Sequence, residues 1–250
     1  DAGNTRLNGF DPVNEYKKIR QILGYMPGRF SLYPDLSVEE NLNFYATVFG
    51  TTIEENYDLI ADIYKQIEPF KNRLAGRLSG GMKQKLALSC ALVHKPQILL
   101  LDEPTTGVDA VSRSEFWQML KRLQQKDITI VVSTPYMDEA TLCDRVALMQ
   151  KGTVLSIDTP QGIIDGFGKK LLAISSENKF NLLTDMRNFY DTNSIFPFGQ
   201  ALHYTSKSNV SNPVEIREYL ENKGHKNILV EEAKPDIEDC FMELMRKHVS

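Results

Sequence analysis

Residues 78–109 read LSGGMKQKLALSCALVHKPQILLLDEPTTGVD, and how this stretch is understood decides the fold. Ser79, Gly80 and Gly81 open a run with apolar residues at Leu86, Leu88, Cys90, Ala91 and Val93, which predicts a helix entered through a small hydroxyl and two glycines. Free N–H groups at a helix start point outward, and glycines let an anion approach that backbone. The aliphatic run from Ile98 to Leu101 then stops at two carboxylates, Asp102 and Glu103, followed by Pro104. Such a run predicts a parallel strand buried on both faces, and in open α/β sheets function collects at the carboxyl ends of the strands. Adjacent carboxylates there suit a hydrated magnesium ion on Asp102 and a base, Glu103, that orients or deprotonates an attacking water.

Composition narrows the alternatives. A chain of 250 residues has room for one large or two ordinary domains, and 42% hydrophobic with 25% charged residues is a globular composition. A formal net charge of -4 and a pI near 5.7 leave no broad basic surface, which argues against nucleic acid as a partner. No apolar run approaches the ~20 residues of a membrane-spanning helix, so a membrane role is expected to be played from outside the bilayer. Cys90, Cys143 and Cys240 share no metal-ligand spacing and are expected as small buried hydrophobes in a reducing compartment. His94, His203, His225 and His248 lie far apart, each expected as a packed or solvated side chain. The chain opens at Asp1 with no charged and apolar leader, so no secretory signal is expected.

Taken singly, the glycine-led helix and the carboxylate-ended strand are commonplace. In this order and spacing, followed by Thr106-Gly107-Val108-Asp109, they resemble the signature, Walker B and D-loop segments of ABC-type ATPases. The resemblance implies an α/β P-loop NTPase core at residues 1–160 with a helical subdomain at about residues 31–95. It further implies ATP and Mg2+ as cofactors, Glu103 as catalytic base, and Asp102 on the metal. Ser79, Gly80, Gly81 and Gln84 would contact ATP held by the opposite member of a head-to-tail pair, and Asp109 would bridge that pair. A transmembrane permease subunit and a second ABC ATPase domain, identical or not, are the implied partners. The implied location is cytoplasmic, peripheral on the inner face of the cell membrane.

Two positions depart from the family. Met26 to Tyr33 resembles the Q-loop, but Gly28 stands where the family has glutamine; Ser133 to Ala140 resembles the H-loop segment, with Pro135 in place of histidine. A phosphate-binding P-loop needs G-x-x-x-x-G-K-[ST], and the one Gly-Lys pair, Gly168-Lys169, has neither the earlier glycine nor the following hydroxyl. The chain is therefore expected to be N-terminally truncated past its P-loop strand and inactive alone. That strand lies, in the family, between the strands expected here at Ile128 to Thr134 and Arg145 to Met149, which are not expected to pair with each other.

In chain order, strands are expected at residues 4–9 and from Arg20 to Met26. Ser37 and Glu40 have capping-box spacing ahead of a helix to Phe49, a second helix is expected from Ile53 to Phe70, and a third from Val111 to Gln125. Arg145 to Met149 and Thr153 to Ile157 predict a hairpin around Gln150-Lys151-Gly152. Residues 161–250 predict strands at Leu171 to Ser175, Ser194 to Phe198, Ala201 to Thr205 and Asn227 to Glu231. Helices are expected between them from Phe180 to Tyr190 and from Pro213 to Asn222. This β-α-β-β-α-β order is that of a ferredoxin-like α+β domain, followed by a last helix from Asp236 to His248.

The segment Pro235 to Phe241 resembles the tail of the ABC branch that exports drugs, polysaccharides and lipids. The implied function is an ATP-binding subunit that couples ATP binding and hydrolysis to export of a small molecule through a separate permease. A degenerate partner domain that lends its signature motif to another ATPase is the alternative. An ABC protein of repair or translation is a third reading, but no coiled-coil insertion or basic patch supports it.

Overall fold

The computed structural model describes residues 3–29, 31–210 and 212–249, the last two of these without their side chains. The chain divides into two compact units, Asp1–Pro135 and Tyr136–Ser250. The expected hairpin lies within the second of these units. The hairpin's Val146 and Leu148 share a core with Ile163, Phe167, Ile237 and Cys240, which ties it to the C-terminal half.

In the first unit, helix α1 (Tyr16–Ile22) runs directly into strand β1 (Leu23–Met26). The expected strand at 4–9 is instead a turn: Asn8 and Gly9 both have positive φ, and a single bridge joins Leu7 to Phe10. Arg20 to Ile22 are helical because the Asp11 carboxylate accepts the N–H groups of Val13 and Asn14, turning the chain into α1.

Helices α2 (Val38–Phe49), α3 (Tyr57–Tyr64) and α4 (Gly80–Leu92) follow. The capping box at α2 is complete, with Ser37 and Glu40 each satisfying the other's backbone. The single helix expected from Ile53 to Phe70 is broken into α3 flanked by 3-10 turns at Glu54–Asn56 and Glu68–Phe70. Pro69 has no N–H to continue the ladder and disfavours helical backbone before it.

Strand β2 (Ile98–Asp102), helix α5 (Ala110–Gln124) and strand β3 (Thr129–Ser133) complete a parallel sheet of order β1-β2-β3. Its register aligns Gly24, Leu99 and Ile130, then Met26, Leu101 and Val132, on one face. Gly24 is buried on that face, and a Cβ there would stand 2.4 Å from the Ala91 carbonyl oxygen of α4. The missing side chain thus sets how closely β1 and α4 pack. The expectation that β2 is buried on both faces is not met. Leu99 and Leu101 are buried, but on the other face Leu100 is half-exposed between Tyr25, 55% exposed, and Val131, 52% exposed. An aliphatic run marks strand type, whereas the cover on each face is a tertiary matter.

In the second unit, α6 (Met137–Ala140) precedes the hairpin β4 (Val146–Gln150) and β5 (Thr153–Asp158), turned through Lys151 and Gly152, both at positive φ. β3 takes β2 as its ladder partner, and β4 takes β5. Helix α7 (Pro160–Asp165) leads to β6 (Leu171–Ser175), α8 (Lys179–Arg187), β7 (Thr192–Phe198), β8 (Ala201–Ser206), α9 (Pro213–Asn222), β9 (Leu229–Ala233) and α10 (Ile237–Val249).

The four strands form an antiparallel sheet of order β7-β8-β6-β9. Leu182 and Met186 of α8 and Ile216 and Leu220 of α9 pack against Leu172, Ile174, Ile195, Leu202 and Tyr204 on one face. β9 starts two residues later than expected because Asn227 adopts a left-handed conformation that no strand continues. α10 is joined to the sheet by a buried His203–Asp239 contact of 2.7 Å.

Among the described residues, no helix is long and apolar enough to cross a membrane.

Candidate functional site

The end of β2 is held by the end of β3. Asp102 and Ser133 are register partners, and the Ser133 hydroxyl donates to Asp102 Oδ1 at 2.6 Å. The Glu103 N–H donates to both the carbonyl oxygen and Oγ of Ser133, each at 3.0 Å. Glu103 itself sits at φ 45, in the left-handed region that side chains rarely enter. Its Oε2 accepts the Thr106 hydroxyl at 3.2 Å, within a tight turn that reaches Gly107 at φ 76. Pro104 and Thr105 are buried beneath this turn, while Asp102 and Glu103 are exposed. The two expected carboxylates are therefore adjacent, open to solvent, and each held by a neighbouring hydroxyl.

Gly28 lies against the same strand end. A Cβ on it would be 3.0 Å from the Asp102 carbonyl oxygen and 3.6 Å from Asp102 Oδ2. The structure thus brings the expected Q-loop position to the expected metal carboxylate. Pro135, exposed and two residues beyond β3, offers neither donor nor acceptor from its ring. Phe30, within the expected Q-loop, lies outside the described residues.

A second group forms where α4 meets α5. Ser79 caps α4, its hydroxyl accepting the Met82 N–H at 3.4 Å. A Cβ on Gly81 would meet Ser112 Oγ at 3.0 Å, and the nearest atom to one on Gly80 is the Gly107 oxygen at 3.9 Å. Lys85 reinforces this packing through a 2.9 Å ion pair with Glu115. Gln84 is half-buried on the second turn of α4. Asp109 caps α5: Oδ1 accepts the Ser112 N–H at 3.0 Å, and that backbone bond holds the Asp109 carboxyl below its usual range. Its carboxylate is thereby given a structural task that the expected bridging role did not foresee.

Two residues that sequence reasoning passed over shape the site. Ser133 reads in sequence as one more strand hydroxyl. Asn41, fully buried on α2, receives the Tyr33 N–H on Oδ1 at 3.0 Å and donates from Nδ2 to the carbonyls of Tyr33, Leu36 and Ser37. It thereby pins residues 33–37 against the start of α2.

The profile of the ABC transporter family matches residues 1–106. The probable multidrug ABC transporter ATP-binding protein YbhF of Escherichia coli is 37% identical over 249 residues, covering 98% of this chain and 42% of the relative. The chain thus spans less than half the length of that relative. Nod factor export ATP-binding protein I of Burkholderia lata is 31% identical over 248 residues, covering 98% of this chain and 79% of the relative. The chain belongs to the family of ABC transporter ATP-binding proteins.

Solved structures of this family agree on the fold. An ATP-binding subunit of an ABC transporter superposes with a TM-score of 0.58 at 25% identity, covering 65% of this chain and 69% of the other. A dimeric ATP-binding cassette in a post-hydrolysis state, bound to ADP and Pi, superposes with a TM-score of 0.54 at 26% identity, covering 61% and 71%.

In this ABC protein the cysteines are free, with Cys90 and Cys240 buried. Burial pushes the thiol of Cys240 up to about 11, so neither it nor the more deeply buried Cys90 is a nucleophile at neutral pH. The described histidine side chains are packed ones. His94 stacks on Phe49 and meets the Leu23 carbonyl at 3.1 Å, and burial lowers its pKa. His203 pairs with Asp239, and His225 lies between Ser176 and Asp185. The side chain of His248 is outside the described residues.

Proposed function

We propose that this chain is part of the ATP-binding subunit of an ABC exporter, which couples ATP binding and hydrolysis to export of a small molecule through a separate membrane permease. The observation that carries the reading is the fixed, exposed Asp102–Glu103 pair at the end of β2, in a chain similar over 98% of its length to a probable multidrug ABC transporter ATP-binding protein and to a Nod factor export ATP-binding protein.

A magnesium ion fits Asp102, because Mg2+ keeps several waters and takes one or two carboxylates plus phosphate oxygens. The described residues hold no cluster of three or more His, Cys, Asp or Glu that would suit a fuller protein cage. Bound there with ATP, the metal supplies charge for the phosphate oxygens. Glu103 orients and deprotonates the attacking water, and its turn through Thr106 limits where the carboxylate can reach.

The dimeric relative suggests how two such domains assemble. Carried to this chain, a head-to-tail pair sets Ser79, Gly80, Gly81 and Gln84 against the nucleotide of a second ABC ATPase domain, with Asp109 beside the junction. The half-exposed Tyr33 and Phe44, packed edge to face at 4.8 Å on the helical subdomain, form an apolar face suited to the permease. This assignment puts the protein on the inner face of the cell membrane. The order β9-β6-β8-β7 with both helices on one face supports a ferredoxin-like accessory domain in the C-terminal half.

The test is steady-state Mg·ATP hydrolysis by the full-length protein. Activity in the wild type and its loss in Ser79→Arg is the expected result, since a long cation at the head of α4 fills the anion-facing helix start. A wild type without nucleotide triphosphatase activity overturns the reading.

The two departures from the family have different expected reversions. Pro135→His restores a polar group at an exposed position and should raise the single-turnover rate, within the ~3 kcal/mol that one preorganised donor supplies. Gly28→Gln brings a Cβ to 3.0 Å from the Asp102 oxygen and should gain less, because Asp102 must shift to admit it. An equal gain from both would show that the strand end yields freely.

A further inference from the structure

We propose that Ser133 is the positioning residue of the carboxylate pair: its hydroxyl turns Asp102 so that Oδ2 is the oxygen presented to the cation, and the same hydroxyl helps lock the backbone of Glu103. The inference rests on the ATPase reading of this site. A serine hydroxyl has one proton, and here it goes to Asp102 Oδ1 at 2.6 Å, a charge-assisted bond of the stronger kind. Its lone pairs are then left for the Glu103 N–H, which it receives at 3.0 Å while the Ser133 carbonyl receives the same N–H at 3.0 Å. One residue of β3 therefore holds both the metal carboxylate and the amide that follows it.

Two further observations give this hold a direction. Glu103 occupies φ 45, a conformation that persists only where the surroundings over-determine it, and Ser133 supplies two of the contacts that do so. On the other side of Asp102, the bare Cα of Gly28 leaves Oδ2 uncrowded, 3.6 Å from where a Cβ would stand. With Oδ1 engaged by Ser133, Oδ2 is the oxygen open on the Gly28 side. No residue of this kind could be chosen from sequence, since the pairing Asp102↔Ser133 arises only from strand register.

The experiment compares Ser133→Ala and Ser133→Thr in the full-length protein with wild type. It measures Mn2+ affinity in the presence of ATP by electron paramagnetic resonance, the Mg2+ dependence of hydrolysis, ATP affinity without metal, and melting temperature. Alanine should weaken Mn2+ affinity and raise the half-saturating Mg2+ concentration by about tenfold, as for lost partners of metal ligands. It should leave metal-free ATP affinity within about twofold. Threonine keeps the hydroxyl and suits a strand, so it should restore the wild-type metal dependence. Unchanged metal dependence in alanine overturns the proposal, as does threonine failing alongside alanine with an equal fall in melting temperature, which marks a packing role. A wild type that binds no Mg·ATP overturns the ATPase reading and this proposal together, whereas a metal-binding wild type with an indifferent alanine variant overturns this proposal alone.

Discussion

Glu103→Gln in the full-length protein is expected to slow steady-state ATP hydrolysis by about a hundredfold or more, the usual contribution of a general base. The substitution keeps the side chain's length, and the amide oxygen can still accept the Thr106 hydroxyl that Glu103 Oε2 now receives at 3.2 Å. The backbone at φ 45 is held through the Glu103 N–H, which the change leaves in place. Geometry and nucleotide binding should therefore survive while the base is lost. ATP affinity by calorimetry and turnover by phosphate release separate the two. If turnover is unchanged in Glu103→Gln but abolished in Ser79→Arg, Glu103 is idle and the chain acts through the head of α4.

Asn41→Leu is expected to cost about 3 kcal/mol in stability, because it orphans the part-buried Tyr33 N–H and removes a side-chain donor from three carbonyls. Leucine keeps asparagine's branching and is bulkier, so no cavity opens and the loss would measure hydrogen bonds together with some overpacking. The broken contacts all lie between α2 and residues 33–37. Amide exchange at Tyr33 should accelerate more than exchange in β6 or β8 of the other unit. Uniform acceleration across both units would show that Asn41 supports global stability without a local effect on residues 33–37. A melting temperature within experimental error of wild type would show that Asn41 is dispensable.

Much of the fold was legible from local chemistry. The capping box at Ser37 and Glu40, the Lys151-Gly152 hairpin turn and the glycine-led entry of α4 are decided by residues within four positions of one another. Short-range geometry of that kind is nearly independent of the rest of the chain. Errors arose where local signals competed. Apolar spacing through residues 53–70 pointed to one helix, while Pro69 and the turn chemistry around it produced three short pieces. Asp11 turned an apparent strand at Arg20 into helix.

Residue types alone give the identity and order of the chemical groups: a hydroxyl and two glycines at a helix start, two carboxylates at a strand end, and a bare glycine and a proline at positions 28 and 135. They also determine that the C-terminal half alternates as β-α-β-β-α-β, because side-chain periodicity follows from backbone repeat. Which of these groups meet depends on packing between distant segments. Strand register places Ser133, 31 residues along, within 2.6 Å of Asp102, and Gly28 reaches the same carboxylate from a third segment. The open face around Tyr25 and Val131 and the buried Asn41 were likewise outside the reach of pattern. Burial and hydrogen-bond partners depend on what packs from distant parts of the chain, and a linear pattern of residue types contains no term for that.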